Sequence, residues 1–366
     1  MIVSNDVVHD PRVLREARAL ENAGHQVSII GWDRTGRAPS FEEWNGLEIR
    51  RVQTRGLMRI LWKDLVRIPV WWSKAYGLAR RSGFDAVHCH DVDTLPIGVR
   101  LKRVLRRPLI YDCHEVFHRM IQDDVPRFVS RYVHRLEQRL APQADRIIVV
   151  SHVVQEYIKN LCGRDSTVIA NYPDFTAETY RPPPGPPFTV LYIGTLHPNR
   201  FVLPAIDVIA EMPDVQLVIA GSKQLTPIVK ARCEQHPNTH FIGLVPNNHV
   251  MSLILNSHVV LAMFDPSVWI NYMGLPNKLF EAMAAGRPSI VADEGLMAEI
   301  VNRESCGVAV PYSAEGFRQA VERLSADPSL AERLGRNGLA AASREYNWPK
   351  EERKLTDLYA NLARSG

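Results

Sequence analysis

The sequence is short of the features that would mark a membrane protein, a secreted protein or a cysteine-held metal site. None of its apolar runs approaches the ~18 residues that a spanning helix needs. The longest β-rich stretch, residues 147–154, is interrupted by Ser151 and His152. The opening MIVSNDVVHD has no basic region followed by an apolar one, so no secretory leader is expected. Cysteine is scarce: Cys89, Cys113, Cys162, Cys233 and Cys306 are odd in number and form no CxxC pair. That usage fits unpaired thiols in a reducing cytoplasm. No recognised nucleic-acid-binding module accompanies the cations, so nucleic acid is not an expected partner.

What is present is a globular composition, 46% hydrophobic and 23% charged, on a chain of 366 residues. That length exceeds one ordinary core and suggests two domains. The net charge of +4 is unevenly placed: residues 1–170 hold 27 Lys and Arg against 20 Asp and Glu, whereas the rest holds 17 against 20. A basic half beside an acidic half suits an anionic partner for the first, although local drift in an Arg-rich sequence produces the same imbalance.

Short β-branched runs recur at 26–30, 86–88, 108–111, 146–150, 189–193, 216–220, 258–262 and 289–292. Segments of helical spacing lie between most of them, a pattern that predicts parallel sheets with crossover helices, hence an α/β fold. Residues 172–187 (YPDFTAETYRPPPGPP) break the pattern. Prolines exclude helix and sheet interior there, so the segment reads as a linker between domains 1–171 and 188–345, with a closing helix at 346–366. The first helix is well signalled: Asp10 can cap it, Pro11 fits its first position and Gly24 closes it. In open α/β sheets ligands bind outside the carboxyl ends of strands. Chemistry is therefore expected on the loops 4–9, 88–94, 112–118, 194–200, 221–223, 243–248 and 264–277.

One such loop, Gly274-Leu275-Pro276-Asn277, runs into a helix that opens Lys278-Leu279-Phe280-Glu281. A helix N-terminus presents N–H groups and a positive dipole end, which suits a diphosphate. Gly274 permits close backbone approach, and Glu281 lies one turn along, placed to accept from sugar hydroxyls. Physics alone favours an ordinary capped helix whose early Glu complements the dipole.

The run GLPNKLFEAMAAGRPSIVAD closely resembles the donor-site motif of family 4 glycosyltransferases. HDPRVLREARALENAGHQV, FDAVHCHDVDTLPIG, LIYDCHEVF, VLYIGTLHPNRF, LVIAGS with FIGLV, and YNWPKEERKLTDLYANL resemble further segments of that family, in the same order along the whole chain. The resemblance implies the GT-B architecture: two Rossmann-like domains facing each other across a cleft, with the C-terminal helix returning to the first domain. It implies a retaining transfer by front-face displacement, from a nucleotide sugar (UDP-linked by preference) to a sugar or lipid-linked acceptor, with no cofactor or metal required. By the same resemblance Glu281 holds the ribose, Arg200 neutralises the diphosphate and His114 lies at the reacting sugar. Gly194, Gly221, Lys223, Leu244, Val245, Gly274, Leu275, Pro276, Asn277 and Lys278 would line the donor. Asn5, Asp10, Arg12, His90 and Asp91 would lie on the acceptor side.

Three positions depart from the family pattern. Met273 stands where a second Glu often contacts the donor sugar, Thr195 where an Arg is often found, and the loop 4–9 has no glycine. An epimerase or hydrolase of the same architecture, or a non-catalytic nucleotide-sugar-binding protein, therefore stays open beside the transferase. Two motif matches point elsewhere. His114-Glu115-Val116-Phe117-His118 spells HExxH, which needs both His on one helix face to hold zinc; here it follows a strand-like run, with His88 and His90 as candidate further ligands. Asp91-Val92-Asp93 spells DxD, but Asp93 is also a fitting cap for the helix that follows. Residues 55–81 form a basic segment with Trp62, Trp71 and Trp72, and 127–139 is similarly basic. Such segments suit an anionic membrane surface; equally, the aromatics can face the core and the cations water.

Overall fold

The computed structural model describes residues 1–8, 10–54, 61–122 and 124–364, with backbone alone at 61–66 and 363. It divides into two compact units, Met1–Asn171 with Pro349–Gly366, and Tyr172–Trp348.

In the first unit the strands are β1 (Ser28–Asp33), β2 (Phe41–Trp44), β3 (Leu47–Gln53), β4 (Val87–His90), β5 (Leu109–Cys113), β6 (Arg146–Val149) and β7 (Thr167–Val168). The helices are α1 (Pro11–Asn22), α2 (Leu61–Ser82), α3 (Leu95–Leu105), α4 (Phe117–Met120), α5 (Arg127–Leu140) and α6 (His152–Cys162). Strand orders are β1-β3-β2 and β4-β5-β6-β7, all pairs parallel except β2 with β3. Ile2 bridges Ile30 on one side and Cys89 on the other, so a single residue fills the place of a first strand and joins the two sheets. Asp10 Oδ1 accepts from Val13 N at 3.1 Å, and Pro11 begins α1. Trp71 is fully buried and stacks on Trp32 with ring centroids 5.0 Å apart. Trp72 Nε1 donates to the Asp93 carbonyl at 2.6 Å. Trp71 of the basic segment therefore serves the core, and Trp72, partly buried, packs against it. Residues 55–60 and the Trp62 side chain lie outside the described residues.

The second unit holds β8 (Phe188–Ile193), β9 (Val215–Ala220), β10 (Thr239–Gly243), β11 (Val259–Leu261), β12 (Ser289–Ala292) and β13 (Gly307–Val310). Its helices are α7 (Val202–Ala210), α8 (Thr226–Cys233), α9 (Asn247–Leu255), α10 (Trp269–Tyr272), α11 (Asn277–Ala284), α12 (Leu296–Glu304), α13 (Ala314–Ala326) and α14 (Pro328–Arg344). The sheet order is β10-β9-β8-β11-β12-β13, all parallel. This is the doubly wound order in which the chain reverses direction between β8 and β11, and a crevice opens beyond their carboxyl ends. The apolar β11, and β12 with its one polar residue Ser289, are buried along their whole length, as parallel strands covered on both faces must be.

Residues 172–187 form no helix or strand, yet they pack on the second unit. Tyr172 meets Phe280 and Tyr346 edge-on, and Ala177 N donates to the Ala284 carbonyl at 2.9 Å. The last helix, α15 (Trp348–Arg364), belongs to the first unit from Pro349 onward. Glu351 Oε2 accepts from Ala170 N at 2.9 Å, and Leu355 is fully buried. No helix among the described residues is long and apolar enough to cross a membrane.

Candidate active site

In the second unit the loops after β8 and β11 are knit together at the switch point. Phe201 N donates to the Met263 carbonyl at 3.2 Å and Asp265 N to the Asn199 carbonyl at 3.1 Å. Gly194 and Gly221 end β8 and β9 at φ +135° and +143°; a Cβ on Gly221 would lie 1.8 Å from the Gly194 carbonyl oxygen. Only glycine allows the two strand ends to approach so closely.

Arg200 projects from the loop after β8. Its guanidinium lies 3.7 Å from the centre of the Phe264 ring, and Nη1 donates to Asn271 Oδ1. Asn271, buried on α10, in turn donates to the Asp265 carbonyl at 3.0 Å. Asn271 therefore aims Arg200, a role the sequence reading missed because nothing but a lone polar residue in an apolar turn marks it. Lys278, one residue inside α11, is 8% exposed and its ammonium has no hydrogen-bond acceptor among the described residues. It rests 3.8 Å from the centre of the Tyr192 ring and close to Gly194. Burial, with Arg200 nearby, lowers it to about 7, while Glu281 opposes the shift. No side chain caps α11, and Glu281 lies on the same face as Lys278 three residues on. Leu244, at the end of β10, is 74% exposed and Val245 is half-buried beside it, an apolar edge suited to a nucleobase. Lys223 is exposed.

The first unit builds a second cluster at the end of β4 and β5. Asp112 Oδ2 accepts from His114 Nε2 at 2.9 Å, and His114 N donates to Asp91 Oδ1 at 3.0 Å. Asp91 Oδ2 lies 3.5 Å from the other ring nitrogen. Burial opposes the imidazolium, but Asp91 and Asp112 outweigh it and push His114 up to about 10. Arg12 and His90, expected on the acceptor side, turn inward instead. Arg12 is 4% exposed, its guanidinium spent on Asp112 at 3.0 Å and the Ile169 carbonyl at 2.9 Å. His90 is fully buried, with Nδ1 3.2 Å from His114 Nε2. Both support His114 and leave no surface for an acceptor. Asn5 and Asp10 stay partly exposed and bond each other at 2.8 Å.

Of the two competing motifs, HExxH is broken up by its contacts, whereas DxD loses only the helix-cap role expected of Asp93. His114 stands on a strand-end loop, whereas His118 lies on the four-residue α4 and bonds the Tyr157 hydroxyl at 3.2 Å, so HExxH forms no single helix face. Thr94, and not Asp93, occupies the cap position of α3. Glu16, His88, His90 and Asp112 bring donor atoms within 4.8 Å of one another, the arrangement a metal could use. Arg12 already pairs with both carboxylates, at 2.8 Å to Glu16 and 3.0 Å to Asp112, so this buried group carries its own cation.

Comparison with known proteins agrees with this fold. The model of Glycosyltransferase Family 4 matches residues 12–174, and that of the group 1 glycosyl transferases matches 187–327. An uncharacterized glycosyltransferase of Methanocaldococcus jannaschii is 24% identical, the match covering 94% of this chain and 91% of the relative. Sucrose-phosphate synthase from Thermosynechococcus elongatus superposes with a TM-score of 0.82 at 19% identity, over 100% of this chain and 99% of that one. Anabaena HepE, solved in complex with UDP-glucose, gives 0.73 at 15% identity, over 98% and 99%.

Proposed function

The chain belongs to the family 4 glycosyltransferases of GT-B architecture, and from that premise we propose that it is a retaining, metal-independent transferase of a hexosyl or N-acetylhexosaminyl group from a UDP-sugar to a hydroxyl acceptor. The observation that carries this reading is Arg200 and Lys278 beside the glycine-lined end of β8, with Glu281 within electrostatic reach of Lys278. Two cations and the N-terminus of α11 oppose the charge that builds on a departing diphosphate, a preorganised electrostatic role. Glu281 accepts from the ribose hydroxyls, and the exposed Leu244 edge takes the base. In the first unit His114, held as a cation by two carboxylates, orients the reacting sugar. The UDP-glucose complex of HepE supports the choice of UDP.

The acceptor is a sugar or a lipid-linked sugar of cell-surface polysaccharide, glycolipid or glycoconjugate synthesis, met in the cytoplasm or at the inner face of the membrane. What supports the lipid end is α5, where Phe128 and Tyr132 are 61% and 59% exposed among Arg127, Arg131 and Arg135. Aromatics beside cations suit an anionic interface. A thermal-shift screen of nucleotide sugars tests the donor, since a ligand that binds only the folded state raises its apparent stability. UDP-sugars should give the largest shifts, and the transferred sugar should keep its anomeric configuration by NMR. No shift with any nucleotide sugar, or inversion, would overturn the reading.

A further inference from the structure

Lys278 is a buried site cation that the fold leaves without an acceptor among the described residues. Its ammonium is more than nine-tenths buried and sits between the face of Tyr192 and the end of β8 at Gly194, with the Phe264 ring 5.4 Å away. Arg200, by contrast, is tied to Asn271. The loop 194–200 offers Arg200 as its only Lys or Arg, with Thr195 neutral and exposed. A buried ammonium resting on aromatic faces, with no acceptor among the described residues, is costly in its charged form, and a diphosphate oxygen would remove that cost.

We propose that Lys278 is the second cation of the diphosphate seat and is charged by the donor itself, so that donor binding draws one proton from solution. The inference rests on the nucleotide-sugar reading given above. The groups facing the ammonium are Tyr192 from β8, Arg200 from the loop after it, with Tyr312 beyond, and Glu281 on α11. Burial and Arg200 hold the free amine near about 7, and Glu281 alone favours its charge. The diphosphate adds two neighbouring anionic groups and shifts the balance to the ammonium. At about pH 8 the free enzyme holds Lys278 largely neutral and the complex holds it charged, whereas at about pH 6 both forms are charged. Affinity should therefore fall as pH rises from about 7, by up to about tenfold per unit.

The test is calorimetric titration of the full chain with UDP-glucose, UDP-N-acetylglucosamine and GDP-mannose, in buffers of differing ionisation enthalpy. The expected result is uptake of about one proton per donor at about pH 8 and almost none at about pH 6. Lys278→Met should bind about ten- to a hundredfold more weakly, with no uptake and a flat pH profile. Lys278→Arg should bind with no uptake. Donor binding by the native chain without uptake, or uptake that persists in Lys278→Met, overturns this inference and leaves the donor seat standing. Absence of binding by every nucleotide sugar overturns both.

Discussion

His114 is held by Asp91 on one ring nitrogen and Asp112 on the other, and Arg12 braces Asp112 from behind. The imidazole is thus a fixed cation, raised from its ordinary 6.5 to about 10. Between those values the folded chain keeps a proton that the unfolded chain has lost. The stability that His114 confers is present below about 6.5 and drains away as pH rises through about 10, with its Asp91 arm weakened below about 7, to which burial raises that carboxyl. Thermal melts of the native chain and His114→Gln should differ most near about pH 7, where Asp91 is ionised and His114 still charged, and converge towards about pH 10. A gap that widened as pH rose above about 7 would refute the clamp. The sequence named His114 through a family resemblance, because DCHE follows a strand, but nothing local revealed that Arg12 and His90 point inward. Arg12 lies 100 residues from Asp112 along the chain, and such pairing is written only in the tertiary fold.

At the scale of elements, the donor seat depends on two strand ends meeting. Gly221→Ala would put a methyl 1.8 Å from the Gly194 carbonyl, at a φ of +143° that favours glycine. The cost should be at least about 1–3 kcal/mol of stability, with donor affinity lost alongside, as denaturant melts and binding titrations would report. Native stability and affinity in that variant would contradict the close approach. Strands such as β8 and β12 were legible because β-branched runs stand between turn residues; Ser289–Ala292 agrees to the residue. The β2–β3 pair escaped detection since FEEW is a charged strand on the exposed edge of its sheet and LEIRRVQ interrupts its apolar residues with Glu48, Arg50 and Arg51. α10 escaped as well, being only four residues long, and with it Asn271.

Across the whole molecule, the alternation of strand and helix announced the α/β class, and seven family-like segments in order announced the architecture. Composition could not say where the proline-rich segment packs, because Tyr172 and Arg181 find their partners through contacts distant in sequence. The chain closes its first unit with α15, whose Leu355 is fully buried and whose Tyr359 hydroxyl lies 2.9 Å from His88 Nδ1. Leu355→Ala should cost about 2–5 kcal/mol. Hydrogen exchange should show that loss in the amides of β4–β6, while β8–β12 keep their protection; loss confined to β8–β12 would contradict the assignment of α15.

The central claim is that Arg200 and Glu281 hold a nucleotide sugar for transfer. Its most direct measurement is donor turnover, read as nucleotide released and glycoside formed, by the native chain, Arg200→Ala and Glu281→Ala across a panel of nucleotide sugars with sugar and lipid-linked acceptors. The expected result is transfer from at least one UDP-sugar by the native chain, with kcat/KM lowered about a hundredfold or more in each folded variant. Turnover of every accepted donor at the native rate in both variants would contradict it.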